Sequence, residues 1–217
     1  MATDRCFRVT GIVLKHAPVG EYDRVVTIFT REAGKLSAFA RGARRLGNKL
    51  TGLTEPFCFG DFILYEGRDS YSISDAKISN FFGEFRTDLE ASVYGSFFLE
   101  LTDYYGRENN EDRELLKLLY QSLRALLSPS LNRRLVRAVF ELRCLSVEGE
   151  FPGVPEDASY SDACRYAVRF AVETPIEKLY TFAVSEEVLA ELEGICTSNR
   201  RRFIDRPMKS LERLGTL

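Results

Sequence analysis

The apolar residues of this chain change their spacing near residue 82, and no other feature constrains the fold as strongly. Before that point, short runs of β-branched and aromatic residues are separated by Gly, Pro and Asp, which is typical of strands and turns. After it, apolar residues recur at three- and four-residue steps, as on the buried face of a helix. The sequence therefore predicts an α+β protein, with a strand-rich domain in residues 1–80 and an α-helical domain in residues 81–217.

Five strands are predicted in the first domain. In the clearest of them, small and apolar residues alternate with Ser37, Phe39 and Arg41, so that only one face would be buried. The predicted strands are Phe7–Leu14, Val25–Thr30, Leu36–Arg41, Phe57–Tyr65 and Tyr71–Ile78. Five short strands in so few residues suit a small closed barrel, of which the OB-fold is the usual nucleic-acid-binding form. An SH3-like barrel fits the same strand count.

Helices are predicted throughout the second domain. Their apolar stripes, such as Leu89, Val93, Phe97 and Leu101, indicate a packed core rather than a ligand groove. The predicted helices cover about 89–101, 115–127, 131–147, 162–172 and 186–196, and a short last helix begins near Pro207.

Cysteine usage and composition exclude several classes of protein. The five cysteines are odd in number and unclustered, which argues against a disulfide framework, and without a CxxC pair they offer no zinc-ligand spacing. We expect them to be buried and reduced, and we expect neither a metal nor another cofactor. The sequence contains no run of about 18 apolar residues, so no membrane span is predicted. Residues 1–8 mix charges and do not resemble a secretory signal, so the expected location is cytoplasmic.

No catalytic arrangement is evident in the sequence. The single histidine, His16, lies beside a predicted turn and is interpreted as a solvated loop residue. Neither GxxxxGK[ST] nor GxGxxG occurs, so no phosphate-cradling loop is predicted. We therefore expect a protein that is not an enzyme.

A cationic segment runs from Ala33 to Thr54 without a single acid. Its cations are Lys35, Arg41, Arg44, Arg45 and Lys49. The whole chain has a formal net charge of −2, so the positive charge of this segment is opposite in sign to that of the protein as a whole. Cations of this kind bind a phosphate backbone by releasing its counterions, and single strands also need aromatic platforms for their bases. The five cations are therefore the predicted DNA-binding residues, and Phe39 is a weaker candidate for stacking because strand aromatics are more often core.

Three stretches of the first domain resemble the start of the bacterial DNA repair family RecO. They are Gly11–Lys15, Gly20–Thr30 and Gly34–Arg45, of which the last is the most specific. The helical segment Phe140–Arg143 and the C-terminal Pro207–Leu211 are similar to the family as well. The similarity spans most of the chain and is closest over residues 11–65.

The resemblance implies an N-terminal OB-fold, an α-helical domain and the function of a recombination mediator. Such proteins bind single- and double-stranded DNA and anneal complementary strands. With RecR they help to load RecA onto single strands coated with SSB, whose acidic, apolar C-terminal tail they engage. A cytoplasmic, nucleoid-associated location is implied too. The residues by themselves support only the barrel, the helical domain and the cationic face.

One departure from the family concerns zinc. Many members carry a four-cysteine zinc module after the third helix, but residues 153–159 hold no cysteine here, and only Cys164 and Cys196 lie further on. We therefore predict a degenerate module without zinc, helical and held by apolar packing.

Two other interpretations stay open. In the first, the protein is an interaction module without DNA annealing, whose barrel docks an acidic partner. Its helical domain would hold an apolar peptide, with the basic cluster Arg200–Arg202 and Phe203 as a rim. In the second, the barrel binds RNA.

Overall fold

The computed structural model, which describes residues 5–68, 70–154, 156 and 159–214, begins with a closed five-stranded barrel. The strands are β1 (Arg5–Val19), β2 (Asp23–Thr30), β3 (Gly34–Ala40), β4 (Phe59–Glu66) and β5 (Tyr71–Asn80). Their order around the barrel is β1-β2-β3-β5-β4, and β3 meets β5 in parallel through only two residue pairs. This is the OB-fold barrel, and the predicted fold class is confirmed.

β1 is longer than predicted because it serves two neighbours. Its first half pairs with β4 and its second half with β2, and the register shifts between Val13 and Lys15. The two pairings overlap at Gly11 and Ile12, and Gly11 lies opposite both Thr30 and Gly60. A Cβ at Gly11 would lie 2.3 Å from the carbonyl oxygen of Phe29, so only glycine allows the strands to approach this closely.

The alternation in β3 points one face into the barrel core, as predicted. Leu36, Ala38 and Ala40 are at most 5% exposed, whereas Lys35 and Phe39 stand on the outer face and are half-buried. A four-residue helix, α1 (Leu50–Leu53), was not predicted because it is too short to show a period. Its Leu50 joins the barrel core and is 6% exposed.

The helices predicted after residue 82 are confirmed, with shifted ends. They are α2 (Leu89–Tyr105), α3 (Arg113–Leu126), α4 (Arg133–Val147), α5 (Asp162–Glu173), α6 (Glu186–Phe203) and α7 (Lys209–Leu214). Side-chain oxygens of Asn132, Ser161 and Ser185 accept backbone N–H groups at the starts of α4, α5 and α6. Among the described residues, none of these helices has the length and apolar character needed to span a membrane.

The region where the zinc module would lie contains α5, which begins at Asp162, and α6, which begins at Glu186. α5 and α6 are packed through buried apolar residues, as expected, and Cys164 and Cys196 are buried among them. The described residues from 150 to 160 are not helical, and 155, 157 and 158 lie outside the described part of the chain. Within that part, no group of three or more His, Cys, Asp or Glu side chains could hold a metal ion.

All five cysteines are free, but one of them contradicts the prediction of burial. Cys6 is exposed, because it lies near the start of β1, whereas the other four are buried. Burial raises the pKa of the Cys164 thiol to about 12. Burial also raises the pKa of Cys196 well above its ordinary value.

The chain divides into two compact units. One comprises Met1–Glu84 and Leu99–Leu116, and the other Phe85–Phe98 and Lys117–Leu217. The first unit therefore holds the barrel together with the end of α2 and the segment that follows it. The predicted domains, 1–80 and 81–217, differ from these units in the placement of residues 99–116, and they stay a prediction.

In the second unit, Phe98 of α2 stacks on Phe140 of α4, with ring centroids 4.0 Å apart. The carboxylate of Glu141, which is 3% exposed, forms ion pairs with Arg137 and Arg200. Burial raises the pKa of Glu141, while the charges of Arg200 and Arg137 oppose that rise.

Candidate nucleic-acid interface

The cationic segment folds into β3, a loop and α1. Residues 41–49 form the loop, which we call the arginine loop, and it is held at its base by hydrogen bonds. The backbone N–H of Gly42 donates to Oδ1 of Asp23 at 2.7 Å, and the hydroxyl of Thr51 donates to the carbonyl of Ala43 at 2.7 Å. Ala43 itself is fully buried. The base of the loop is therefore fixed to the barrel by hydrogen bonds and by the burial of Ala43.

The arginine loop lies against the turn between β1 and β2. The backbone N–H of Arg44 donates to the carbonyl of Tyr22 at 2.9 Å, and its guanidinium donates to the carbonyl of Gly20 at 3.1 Å. The guanidinium of Arg45 stands over the ring of Tyr22. Both arginines are exposed, so these contacts orient the cations without covering them.

Three of the five predicted DNA-binding cations form no ion pair with any acid that the structure describes. Among residues 5–68, 70–154, 156 and 159–214, no carboxylate lies within salt-bridge distance of Arg41, Arg44 or Arg45. All three are exposed and lie close together in the arginine loop. An unpaired, exposed guanidinium offers its full charge and several donors to a phosphate.

Lys35 is placed differently from the arginines. Its Nζ donates to the carbonyl oxygen of Asp103 at 2.6 Å and lies 3.6 Å from Oδ1 of the same residue. The backbone N–H of Lys35 donates to the carbonyl of Arg107 at 2.8 Å. Lys15 also pairs with Asp103, at 2.6 Å. Lys35 therefore fastens β3 to α2 and the segment that follows it, within the barrel unit.

Lys49 forms an exposed ion pair. Its Nζ lies 2.8 Å from Oδ1 of Asp75 on β5, and both side chains are at least half exposed. The hydrogen bond from Lys49, together with one from the backbone of Ala76, lowers the pKa of Asp75. Exposed pairs of this kind contribute little to stability, so the pair with Asp75 holds Lys49 only weakly.

An outer groove of about 460 Å³ lies on the barrel and is lined in part by β3, the strand that leads into the arginine loop. Its apolar lining is Val25, Leu36, Phe39 and Tyr71, and its charged lining is Lys35, Arg68, Glu66 and Glu108. The ring of Tyr71 is supported by Phe7 in an edge-to-face contact at 5.6 Å. Phe39 is thus half-buried but open to the groove, a position suited to stacking.

The sequence did not indicate Arg68 and Tyr71 as members of this site. Arg68 lies in the turn between β4 and β5, where a single cation is a weak signal, and Tyr71 is the first residue of β5. Tyr71 lies opposite Ala38, the neighbour of Phe39 on β3, only because β5 pairs with β3 in parallel across the closure of the barrel. That pairing joins residues far apart in the sequence and leaves no local pattern.

The two glutamates that flank the cationic segment are engaged in structural contacts. Glu55 accepts from Arg24 at 2.8 Å and lies 3.3 Å from Nε2 of His16. Partial burial acts to raise the pKa of Glu55, but the hydrogen bonds from Arg24 and His16 outweigh it and lower that pKa. The interpretation of His16 as a solvated loop residue is wrong, because β1 extends through it and Glu55 contacts its ring. Glu32 pairs with Arg31 at 2.7 Å.

Two family models match most of the chain. The model for the N-terminal part of Recombination protein O matches residues 4–82, and the model for its C-terminal part matches residues 86–159. The chain belongs to the RecO family of DNA repair proteins. The resemblance noted in the sequence is confirmed, and the N-terminal family domain coincides with the OB-fold barrel.

Similar proteins cover the chain almost from end to end. The DNA repair protein RecO of Clostridium perfringens strain 13 is 30% identical over 94% of this chain and 95% of its own length. The DNA repair protein RecO of Acetivibrio thermocellus is 28% identical over 97% of this chain and 96% of its own length. Membership of the RecO family therefore covers both compact units.

The C-terminal basic cluster of this RecO-family chain borders a second groove. This C-terminal groove, of about 380 Å³, has an apolar lining of Ile204, Pro207, Met208 and Leu211 and a charged lining of Arg200, Arg201, Arg206, Asp205 and Glu212. Arg200 is committed to the buried Glu141, and Arg202 lies over the ring of Phe203. Arg201 is exposed at the rim. The groove thus combines apolar residues with charges of both signs, three arginines and two acids.

Proposed function

We propose that this RecO-family protein is a recombination mediator that binds single- and double-stranded DNA and anneals complementary strands without catalytic turnover. The observation that carries the proposal is the group of three exposed arginines, without an ion pair among the described residues, on an OB-fold barrel that also has an aromatic outer groove. Arg41, Arg44 and Arg45 would hold phosphates, and a base would stack on Phe39 or Tyr71. Lys49 would join them by leaving Asp75, while Lys35 would support the groove from its attachment to Asp103.

The arrangement suits DNA of any sequence. Phe39 stands on the outer face of β3, and Arg41 follows two residues later, about 7 Å along the chain. A nucleotide can therefore place its base against the aromatic wall while its phosphate meets a guanidinium. Contacts of this kind do not depend on the base sequence, because they do not reach the base edges. A protein that pairs complementary strands of any sequence requires such contacts. Neutralising the phosphates of two strands at once would also reduce their mutual repulsion.

The protein partners in the proposal are RecR, SSB and, indirectly, RecA, and they follow from the family. For SSB, the C-terminal groove gives additional support, since it offers an acidic, apolar tail both apolar residues and an excess of arginines, Arg201 among them, over acids. Replacing Arg201 with Glu should weaken binding of an SSB-tail peptide. Replacing Arg169, an exposed arginine on α5, with Glu should leave it unchanged. Equal effects of the two variants would contradict this assignment.

The DNA-binding proposal is tested by charge reversal and by salt. We expect Arg44→Glu/Arg45→Glu to lose most affinity for single-stranded DNA and most annealing of SSB-coated strands. The matched control is Arg124→Glu/Arg169→Glu, which changes the net charge equally at exposed positions of the second unit. If only the three unpaired arginines contact phosphates, log affinity should fall against log salt with a slope of roughly −2, compared with roughly −3.5 for all five cations.

Two results would overturn the proposal. The first is unchanged DNA affinity in the double Arg44/Arg45 variant at moderate salt. The second is a clear preference for RNA over DNA of equal length, which would favour the RNA-binding interpretation.

A further inference from the structure

The arginine loop exposes a leucine at its apex. Leu46 follows Arg44 and Arg45 directly and has a relative accessibility of 107%. The next most exposed large apolar side chains among the described residues, Leu89 and Tyr166, reach 66%. Leu46 therefore touches almost nothing in the folded chain.

The backbone at the apex is held in place by hydrogen bonds, although the side chain of Leu46 is not packed. The backbone N–H of Arg45 donates to the carbonyl of Gly42 at 2.9 Å, and the N–H of Asn48 donates to the carbonyl of Arg45 at 3.2 Å. The Asn48 side chain accepts from the N–H of Leu50 at 2.8 Å and donates to the carbonyl of Arg41 at 3.3 Å. One hydrogen-bonded turn, Gly42–Arg45, therefore precedes Leu46, and a second, Arg45–Asn48, contains it.

The turn at the apex also depends on a residue without a side chain. Gly47 has a φ of +79°, a left-handed conformation that glycine adopts without strain. The backbone therefore presents the leucine in a fixed position. A side chain that stays in water adds nothing to folding, so its apolar surface remains available to a binding partner.

The surroundings of Leu46 indicate the chemistry of that partner. The two residues before it are arginines with no carboxylate within salt-bridge distance in the described part of the chain. An apolar tip beside cations fits a polyanion that also offers an apolar slot. Stacked nucleic acid has both properties, because phosphates border the gap between successive base pairs. Leucine is among the side chains that enter such gaps and kink the duplex.

We propose that Leu46 inserts between neighbouring base pairs of duplex DNA while Arg44 and Arg45 hold the flanking phosphates. This inference rests on the proposed DNA-binding function and adds a specific mode of duplex binding. The preferred sites would be those where unstacking is easiest, namely mismatches, junctions with single strands and flexible pyrimidine–purine steps. Such sites occur at the growing end of two strands that are being annealed. Unstacked oligo(dT) offers no slot, and its binding should not depend on Leu46.

The first test compares Leu46→Ala with the unmodified protein. We expect affinity for a mismatched duplex to fall roughly tenfold, because the side chain can no longer be buried. Affinity for oligo(dT) should be unchanged. A 2-aminopurine beside the mismatch should brighten when the unmodified protein binds, as the base unstacks, and should stay dim with Leu46→Ala. Because Leu46 makes almost no packing contacts, the melting temperature should be the same for both proteins.

The second test uses the absence of tryptophan from the chain. Leu46→Trp places a single fluorophore at the apex, and Val19→Trp places one at the end of β1, where the native side chain is 38% exposed. Insertion predicts that a saturating mismatched duplex quenches the indole of Leu46→Trp and shields it from acrylamide. The indole of Val19→Trp should remain more accessible, since it stands outside the base stack.

The outcomes separate this inference from the proposed function. Insertion is wrong if Leu46→Ala binds mismatched duplex normally, or if the indole of Leu46→Trp stays open to acrylamide in the complex. In either case, loss of binding in Arg44→Glu/Arg45→Glu would still support the DNA-binding function. If the unmodified protein binds no DNA at all, the proposed function fails as well. Shielding of the Leu46→Trp indole by anionic phospholipid vesicles but not by duplex would overturn insertion in favour of a membrane surface.

Discussion

The guanidinium carbon of Arg45 lies 4.5 Å from the centroid of the Tyr22 ring. The carbonyl of Tyr22 also accepts the backbone N–H of Arg44, at 2.9 Å. One residue of the turn between β1 and β2 therefore holds two successive cations of the arginine loop. Cations that are oriented before DNA arrives lose less conformational freedom on binding.

Replacing Tyr22 with Ala should weaken DNA binding by freeing Arg45. Cation–π contacts at exposed sites contribute about 0.5–1 kcal/mol, so affinity for single-stranded DNA should fall roughly two- to fivefold. Tyr22→Phe keeps the ring and should bind almost normally. Fluorescence anisotropy with a labelled oligonucleotide measures both variants. Equal losses in Ala and Phe would instead assign the effect to the hydroxyl group.

The cations of β3 and of the arginine loop should separate into structural and binding residues. Lys35→Ala removes a half-buried contact to Asp103 and should lower the free energy of unfolding by about 1–3 kcal/mol, while the salt slope of DNA binding stays nearly unchanged. Arg44→Ala should reduce that slope by about 0.7 with little effect on stability. Lys15→Ala is the matched control, because its more exposed pair with Asp103 should contribute at most about 1 kcal/mol.

A denaturant titration and a salt titration of each variant distinguish these roles. If Lys35→Ala changes the salt slope as much as Arg44→Ala does, then Lys35 leaves Asp103 to contact DNA.

This division of roles marks the limit of what the sequence could predict. The barrel followed from the alternation in strands such as β3, and the helices followed from their apolar stripes, because both patterns are local. Which cations are paired was not predictable, since Lys35 and Asp103 are 68 residues apart and meet only in the folded barrel unit. The same holds for Tyr71, which lines the outer groove through a non-local parallel pairing. Local acid depletion identified a cationic segment but could not separate its unpaired arginines from its paired lysines.

Asp88 should make the second unit sensitive to acid. Its carboxylate accepts the N–H of Ala91 at 3.0 Å at the start of α2 and pairs with Arg133. The backbone hydrogen bond from Ala91 and the hydrogen bond from Arg133 lower the pKa of Asp88. The unfolded chain therefore takes up this proton first as the pH falls. The resulting stabilisation is complete above the unfolded pKa of about 4 and is lost as the pH drops through the folded pKa.

Asp88→Asn tests this linkage, because asparagine can still cap the helix but cannot titrate. The unmodified protein should be the more stable of the two at neutral pH, and the difference should shrink below about pH 4. Urea denaturation at a series of pH values provides the comparison. A difference that is constant with pH would show that the folded and unfolded pKa of Asp88 are the same.

Thiol reactivity should distinguish Cys6 from the other four cysteines. Cys6 is exposed, whereas Cys58, Cys144, Cys164 and Cys196 are buried. Burial raises the pKa of the Cys164 thiol to about 12, so almost none of it is the reactive thiolate at neutral pH. We expect the native protein to react quickly with one equivalent of an aromatic disulfide reagent, the urea-unfolded protein to react with five, and native Cys6→Ser to react with none. Zinc released in proportion to thiol modification would contradict the prediction of a degenerate module, because a zinc-bound cysteine must be a thiolate rather than a buried thiol.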